Sequence, residues 1–343
     1  MKIVQVLATS GGIGGLEQHT FNLANELSQR HEVHMIAHPC YAEKFNPRVH
    51  FHAVDFARSR WNILLLWQLK SLINQIQPDL VHAQAGKAAE LIAKIRAWLK
   101  PIKFVSTVHG TKKNKSAYAA ADAVIAVSQA LTQGIPPAKA HVIYNGVHAQ
   151  PMLSDQQKQQ LKAEIYAQHP ALDASRKIVM CIGRLEPVKN ISLLLQAMQG
   201  IQANLWIVGD GSLRQSLESQ AQQSLQHQAA FLGFRSDARD LIQLADAVVL
   251  SSDREGFPLV MVEALQADKA MASTKVNGVI EWLPAPYLAG IGQADELHDA
   301  IMHALSKPAQ AEFQPLFARA KAELTVQAMA GQTLNIYEQL LQK

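Results

Sequence analysis

The chain has 343 residues, 48% hydrophobic and 17% charged, with a formal net charge of +4 and a pI near 8.9. That length suits two domains of ordinary size, and the composition excludes a disordered or fibrous protein. The mild basicity favours phosphate-bearing ligands or an anionic membrane face over nucleic acid. Two distant cysteines, Cys40 and Cys181, exclude a disulfide framework and point to a reducing, cytoplasmic setting.

The chain opens with a strand, Ile3–Ala8. Gln5 interrupts its apolar run, which leads into glycines without a cleavage-type sequence, so it does not read as a signal peptide. A glycine loop and a helix over Glu17–Gln29 follow, with Thr20, Leu23, Ala24 and Leu27 on one face. Val33–Ala37 reads as a second strand. Trp61–Trp67, the longest candidate membrane stretch, is too short to span a bilayer. Leu80–Ala83, Lys103–Val108, Ala123–Val127 and His141–Ile143 are further short strands, most of them separated by helical patterns. The stretch Gly146–Ser175 is polar and glutamine-rich, carries Pro151 and Pro170, and has room for one helix. The alternation then restarts with strands at Lys177–Ile182, Leu205–Val208, Ala230–Leu232, Ala247–Leu250 and Ala270–Ser273. Helices are expected from near Asn190, Ser212, Asp237, Pro258 and Val279, and over Val326–Leu341.

This alternation predicts an α/β fold of two Rossmann-like, doubly wound domains facing a central cleft. The expected division is a first domain at 1–150, a connection at 151–175, a second domain at 176–323, and a C-terminal helix at 324–343 whose docking the pattern leaves open, a return to the first domain being one option. Ligands of such sheets sit beyond the carboxyl ends of the strands, so functional residues are sought there.

Four segments qualify. In Ser251–Glu263, a buried strand ends in a polar loop and a helix starts near Pro258, a favoured first-turn residue whose helix offers free N–H groups to an anion. Glu255 and Glu263 flank that start; were the span fully helical, they would lie about 12 Å apart on similar faces. Either glutamate alone reads equally well as an ordinary surface carboxylate. In Ile182–Asn190, Gly183 follows a strand, and Arg184 and Lys189 suit a diphosphate through a planar fork and a mobile point charge; the plain alternative is two solvated loop cations. In Ser10–Glu17, four glycines in five positions exceed what a turn needs and allow close approach to phosphate. His109 ends the strand in Val105–Gly110, where a histidine serves structure or bonds a sugar hydroxyl. The dinucleotide fingerprint fails, since counting from Gly12 its last glycine position holds Glu17, and there is no P-loop, H-E-x-x-H, G-x-S-x-G or D-x-D pair. His31, His34 and His38 have irregular spacing that fits no metal motif, so no metal is expected.

Together these segments resemble the family-4 retaining glycosyltransferases of the GT-B fold (glycosyltransferase group 1), over nearly the whole chain. Glu255–Glu263 resembles the family's paired-glutamate motif and Gly183–Lys189 its donor diphosphate loop. Gly14-Gly15-Leu16-Glu17 resembles its N-terminal glycine loop, and Val108-His109-Gly110 and Asn145-Gly146-Val147 match in kind and order. The resemblance implies a nucleotide-diphosphate sugar as substrate, no cofactor and no metal. Arg184 and Lys189 then stabilise the leaving diphosphate, Glu255 holds hydroxyls of the transferred sugar, Glu263 holds the ribose, and His109 contacts the sugar near the reacting carbon. Gly15, Gly183, Phe257, Pro258, Leu259 and Val260 complete the donor site, and Gly14 and Glu17 fall on the acceptor side. Two departures stand out. Pro258 replaces a frequent glycine, leaving phosphate contacts to Leu259 and Val260, and Val276-Asn277-Gly278 replaces a more usual double glycine at the donor-pocket rim.

The implied reaction is retaining transfer of a hexose or N-acetylhexosamine, from a UDP-sugar by preference, to a glycan or lipid-linked acceptor in polysaccharide or lipopolysaccharide synthesis. Arg58–Trp67 mixes cations, tryptophans and an apolar run, and Lys94, Arg96, Trp98, Lys100, Lys103, Lys112, Lys113 and Lys115 add to it. This cluster reads either as a core-packed amphipathic helix or as a peripheral contact with the inner face of an anionic membrane. A sugar-nucleotide epimerase and a non-catalytic sugar-nucleotide-binding protein remain the alternatives.

Overall fold

The computed structural model describes residues 1–111 and 115–342, which form two units: Met1–Val147 with Glu323 onward, and His148–Ala322. The first unit carries strands β1 (Lys2–Leu7), β2 (Glu32–Ala37), β3 (Val49–Ala53), β4 (Leu80–Gln84), β5 (Lys103–Val108), β6 (Ala123–Ala126) and β7 (Ala140–Val142). They form one parallel sheet in the order β3-β2-β1-β4-β5-β6-β7. Helices α1 (Gly15–Leu27), α2 (Ile63–Ile76), α3 (Ala85–Ile95) and α4 (Ser116–Ala119) supply its crossovers. In the second unit, β8 (Lys177–Ile182), β9 (Ala203–Val208), β10 (Ala229–Gly233), β11 (Ala247–Leu250), β12 (Met271–Thr274) and β13 (Leu288–Ala289) run parallel in the order β10-β9-β8-β11-β12-β13. Its helices are α5 (Asp155–Gln168), α6 (Ile191–Ala197), α7 (Arg214–Ser224), α8 (Ala238–Ile242), α9 (Leu259–Gln266), α10 (Ala294–Ala304) and α11 (Ala309–Glu323).

Both sheets share one winding. The chain adds strands outward to one side, then crosses back and continues on the other, so the direction reverses between β1 and β4 and between β8 and β11. Central strands are buried on both faces and read as continuous apolar runs, such as Lys177–Ile182 and Ala203–Val208. The stretch expected as a connection contributes α5, opened by a Ser154 cap that accepts from the Gln157 N–H, and belongs to the second unit. The last helix, α12 (Val326–Leu341), packs on α1 in the first unit. Its Met329, Ala330, Ile336 and Tyr337 join Leu23, Leu80, Val105 and Ile125 in one core. Gly146 makes this return possible, because a Cβ there would strike the Thr325 carbonyl, and Val147 and Thr325 pair beside it.

Several elements differ from the expectation. The edge strand β3, Val-His-Phe-His-Ala, and the two-residue β13 lack the apolar run of a buried strand. The helix expected from Val279 is a single 3-10 turn, Val279–Glu281, enclosed by the left-handed Gly278 and by Pro284, which a continuing helix does not tolerate. Trp61–Trp67 divides between two environments. Leu65 and Leu66 are buried, whereas Trp61, Ile63, Leu64 and Trp67 are 64–78% exposed. Lys112 and Lys113 lie outside the described residues. Among the described residues, no helix is long and apolar enough to cross a membrane.

Candidate active site

The winding of the second sheet reverses between β8 and β11, and the carboxyl ends of strands at such a reversal are the usual ligand position in open α/β folds. Two of the four sequence-marked segments leave the sheet there. Gly183 ends β8, donating its N–H to the Val208 carbonyl at 3.0 Å. The chain then locks against the loop after β9: Leu185 N–H donates to the Asp210 carbonyl (2.9 Å) and Leu213 N–H to the Leu185 carbonyl (3.0 Å). Gly209 and Gly211 permit that approach, since a Cβ on either would strike the Gly183 or Leu185 carbonyl. This Gly-Asp-Gly turn was not among the expected site residues, although two glycines directly after a buried strand were its signal.

The loops after β8 and β11 are laced together. Asp253 N–H donates to the Val188 carbonyl (2.9 Å), Ser251 Oγ to the Lys189 carbonyl (2.9 Å), and Asn190 Nδ2 to Asp253 Oδ1 (2.8 Å). Asn190 also caps α6 from a left-handed backbone. The lacing brings Lys189 to Glu255: Lys189 Nζ donates to Glu255 Oε1 at 2.6 Å, and Ser252 Oγ donates to the same oxygen at 2.7 Å. Both side chains are largely withdrawn from solvent, at 20% and 13% exposure. The Lys189 stem lies against Gly183, 3.6 Å from where a Cβ would stand. Arg184 is exposed, and among the described residues its guanidinium has no hydrogen-bond or salt-bridge partner, so it presents a full set of donors. Beneath the loop, burial pushes the Cys181 thiol up to about 12, with Lys189 opposing, so it is inert as a nucleophile.

Glu255 and Glu263 do not belong to one helix: α9 begins at Leu259, with Pro258 as its extended N-cap, so the 12 Å helical spacing does not apply. Leu259 and Val260 present the first helical N–H groups, whereas Met261 N–H bonds the Pro258 carbonyl. Glu263 lies one turn further on. Burial lifts its carboxyl to about 7, opposed by Arg239, whose Nε is 3.6 Å away. Phe257 is 4% exposed and meets Trp282 edge-on at 6.4 Å, so its ring supports the wall. Gly278 crosses over that ring in a left-handed conformation, where a Cβ would come within 2.7 Å of it.

The other two segments belong to the first unit. Tyr41 OH donates to the carbonyls of Gly11 and Gly12 at 3.0 and 3.2 Å, fixing the glycine loop after β1. Gly14 caps α1, and its N–H donates to Glu17 Oε2 at 3.0 Å, so the Glu17 carboxylate holds the start of the helix beside Gly15. His109 follows β5, and its Nε2 lies 2.9 Å from Gln84 Oε1 at the end of β4. The edge of its ring meets His19 of α1 at 4.6 Å, and His19 Nδ1 is 2.9 Å from Asn145 Oδ1. Deeper, His82 contacts Tyr337 OH (2.5 Å) through Nδ1 and Thr107 Oγ1 (2.6 Å) through Nε2. Burial pushes all three histidines down, His19 to about 4, His82 to about 3 and His109 well below its ordinary value, with mutual repulsion adding for His82 and His109. All three are therefore neutral at physiological pH. His19 and His82 were not marked by the sequence; their signal was a polar residue on the buried side of a helix or in a buried strand.

Residues 162–315 match the family described as "Glycosyl transferases group 1", and residues 13–150 match "Glycosyltransferase Family 4". The chain is 24% identical to the N-acetyl-alpha-D-glucosaminyl L-malate synthase of Bacillus anthracis over 341 residues, covering 89% of this chain and 88% of that one. It is 28% identical to the UDP-Gal:alpha-D-GlcNAc-diphosphoundecaprenol alpha-1,3-galactosyltransferase of Escherichia coli, over 63% of this chain and 64% of that one. Among solved structures, Anabaena HepE in complex with UDP and glucose superposes with a TM-score of 0.82 at 22% identity, covering 98% and 99% of the two chains. The two family matches cover most of both units, and the strand order repeats in each. The chain belongs to the family-4, group 1 glycosyltransferases of the GT-B fold.

Proposed function

We propose that the chain transfers a hexose or N-acetylhexosamine from a UDP-sugar, with retention and without a metal, to a glycan or lipid-linked acceptor of the cell envelope. The observation that carries this reading is the Lys189–Glu255 pair at the β8/β11 reversal: two motifs far apart in sequence bring an ammonium and a carboxylate together beside the carboxyl ends of neighbouring strands. Arg184 and Lys189 neutralise the leaving diphosphate, a charge that grows in the transition state. Diphosphate draws the Lys189 ammonium and frees Glu255 Oε1 to accept a sugar hydroxyl. The Leu259 and Val260 N–H groups at the start of α9 assist at the phosphate. Glu263 accepts from the ribose. In the first unit, Gly14, Gly15 and Glu17 serve the acceptor and donor phosphate, and neutral His109 bonds a hydroxyl of the transferred sugar. The Escherichia coli relative's name, with its UDP-Gal donor and diphosphoundecaprenol acceptor, supports the donor and acceptor classes. The exposed Trp61, Ile63, Leu64 and Trp67 beside Arg60 and Lys94 suit peripheral attachment to the inner leaflet, where a lipid-linked acceptor resides.

The test is incubation with UDP-glucose, UDP-galactose and their N-acetyl forms in EDTA, with and without a polyprenyl-diphosphate sugar, following UDP release and product. Acceptor-dependent UDP release with one donor supports the reading. Interconversion of the donor without UDP release would make the chain an epimerase, and binding with neither reaction a sugar-nucleotide-binding protein.

A further inference from the structure

The first unit carries a second cluster of chemically capable side chains, near the starts of its strands and away from their carboxyl ends. β2 and β3 pair in parallel with His34 opposite His50. Side chains two residues apart share one face of a strand, so Glu32 and His34 of β2 and His50 and His52 of β3 meet on one surface. The sequence hid this arrangement, because it depends on a strand pairing between segments with no motif. His34 is the centre. Its ring stacks on His50 (4.7 Å) and His52 (5.2 Å), its Nε2 lies 2.9 Å from Glu32 Oε1, and its Nδ1 lies 2.9 Å from His52 Nε2.

We propose that Glu32, His34 and His50 bind a divalent transition-metal ion, zinc by preference, with His52 as the hydrogen-bond partner that orients His34. One ligand atom from each of the three lies within 4.8 Å of the others. Zinc–ligand bonds of about 2.0–2.1 Å in a tetrahedron place neighbouring ligand atoms about 3.3 Å apart. The Glu32–His34 contact already falls a few tenths of an ångström inside that spacing, and His50, exposed on the edge strand, has room to close the rest. Two imidazoles and a carboxylate suit zinc and its neighbours better than calcium or magnesium. The ion takes the lone pair of His34 Nε2 beside Glu32, so the single proton of the neutral imidazole resides on Nδ1. His34 Nδ1–H then donates to His52 Nε2, the outer contact that fixes a metal-binding tautomer. The local competitor is Lys2, whose Nζ lies 3.2 Å from Glu32 Oε1 and swings aside. Bound metal would clasp edge strand β3 to the sheet, a structural role separate from sugar transfer.

The test is titration of the untagged full chain with Co2+ alone, followed by visible absorption, then displacement with Zn2+. The expected result is one equivalent of bound Co2+ with ligand-field bands and no thiolate charge-transfer band, unchanged in Cys40→Ser. His50→Gln and Glu32→Gln, both at exposed positions, weaken binding at least ten-fold, and His52→Phe weakens it about ten-fold. Zn2+ raises the melting temperature of the wild type but not of His50→Gln. Absence of bands, bands that persist in His50→Gln, or bands that depend on Cys40 would overturn the proposal.

Discussion

Replacing Lys189 with methionine keeps the side-chain stem against Gly183 and removes only the ammonium that holds Glu255. At 20% and 13% exposure, the pair is not an ordinary surface ion pair. A hydrogen bond to a charged group at such burial contributes about 1.5–3 kcal/mol. The variant leaves the Glu255 carboxylate with Ser252 Oγ as its remaining side-chain donor. We expect destabilisation of the second unit by about 2 kcal/mol. Most of that should return when Glu255→Gln is added, because the stranded charge is then gone. A double-mutant cycle in equilibrium unfolding isolates the coupling, predicted at about 2 kcal/mol. On the role proposed for Lys189 at the leaving diphosphate, catalysis should suffer more: about 10²–10³-fold in kcat, as for other preorganised donors. A coupling under about 0.5 kcal/mol would show that Lys189 does not hold Glu255, and a Lys189→Met turnover within five-fold of wild type would show that it does not meet the growing charge.

Glu263, with its carboxyl raised to about 7, should make donor binding pH-dependent. Ribose hydroxyls need the ionised acceptor, so UDP affinity should drop about ten-fold from pH 8 to pH 6; Glu263→Gln should bind weakly and without that slope, and an equal slope in both proteins would remove Glu263 from the site. In the first unit, His19, His82 and His109 are depressed in the folded state, so the unfolded chain takes up protons first. Their stabilisation is complete above about pH 6.5 and falls as pH drops toward 4, by about 2 kcal/mol each for His19 and His82 at pH 5, with His109 adding in the same direction. Urea unfolding of the first unit at pH 7 and pH 5 measures this, and equal midpoints would contradict it. Trp61→Ser with Trp67→Ser should abolish sedimentation with anionic vesicles at low salt while leaving UDP binding intact; undiminished sedimentation would exclude this surface.

The architecture was legible because a parallel sheet buried on both faces writes itself as short apolar runs. The β8 and β11 runs, each followed by glycine and charged loops, exposed the two motifs proposed to hold the donor. Their pairing was not legible, since Lys189 and Glu255 are 66 residues apart and meet only because β8 and β11 are neighbours in the sheet. The histidine cluster was hidden for the same reason: His19, His82 and His109 come from α1, β4 and the end of β5. Strand β3 escaped notice because histidines occupy half of its alternation, and the helix expected from Val279 stopped at one turn between a left-handed glycine and a proline. In Trp61–Trp67 composition alone left core and surface equivalent, and only the packing of α2 divides the run into buried leucines and exposed tryptophans.

Calorimetric titration with uridine and guanosine diphosphates and their sugars, in EDTA, probes the proposed sugar-nucleotide site at the β8/β11 reversal. We predict saturable binding of the uridine series to wild type and at least ten-fold weaker binding to Arg184→Ala, because the exposed guanidinium is the donor most available to a diphosphate. Absence of binding across the panel, or equal affinity in wild type and Arg184→Ala, would contradict the assignment.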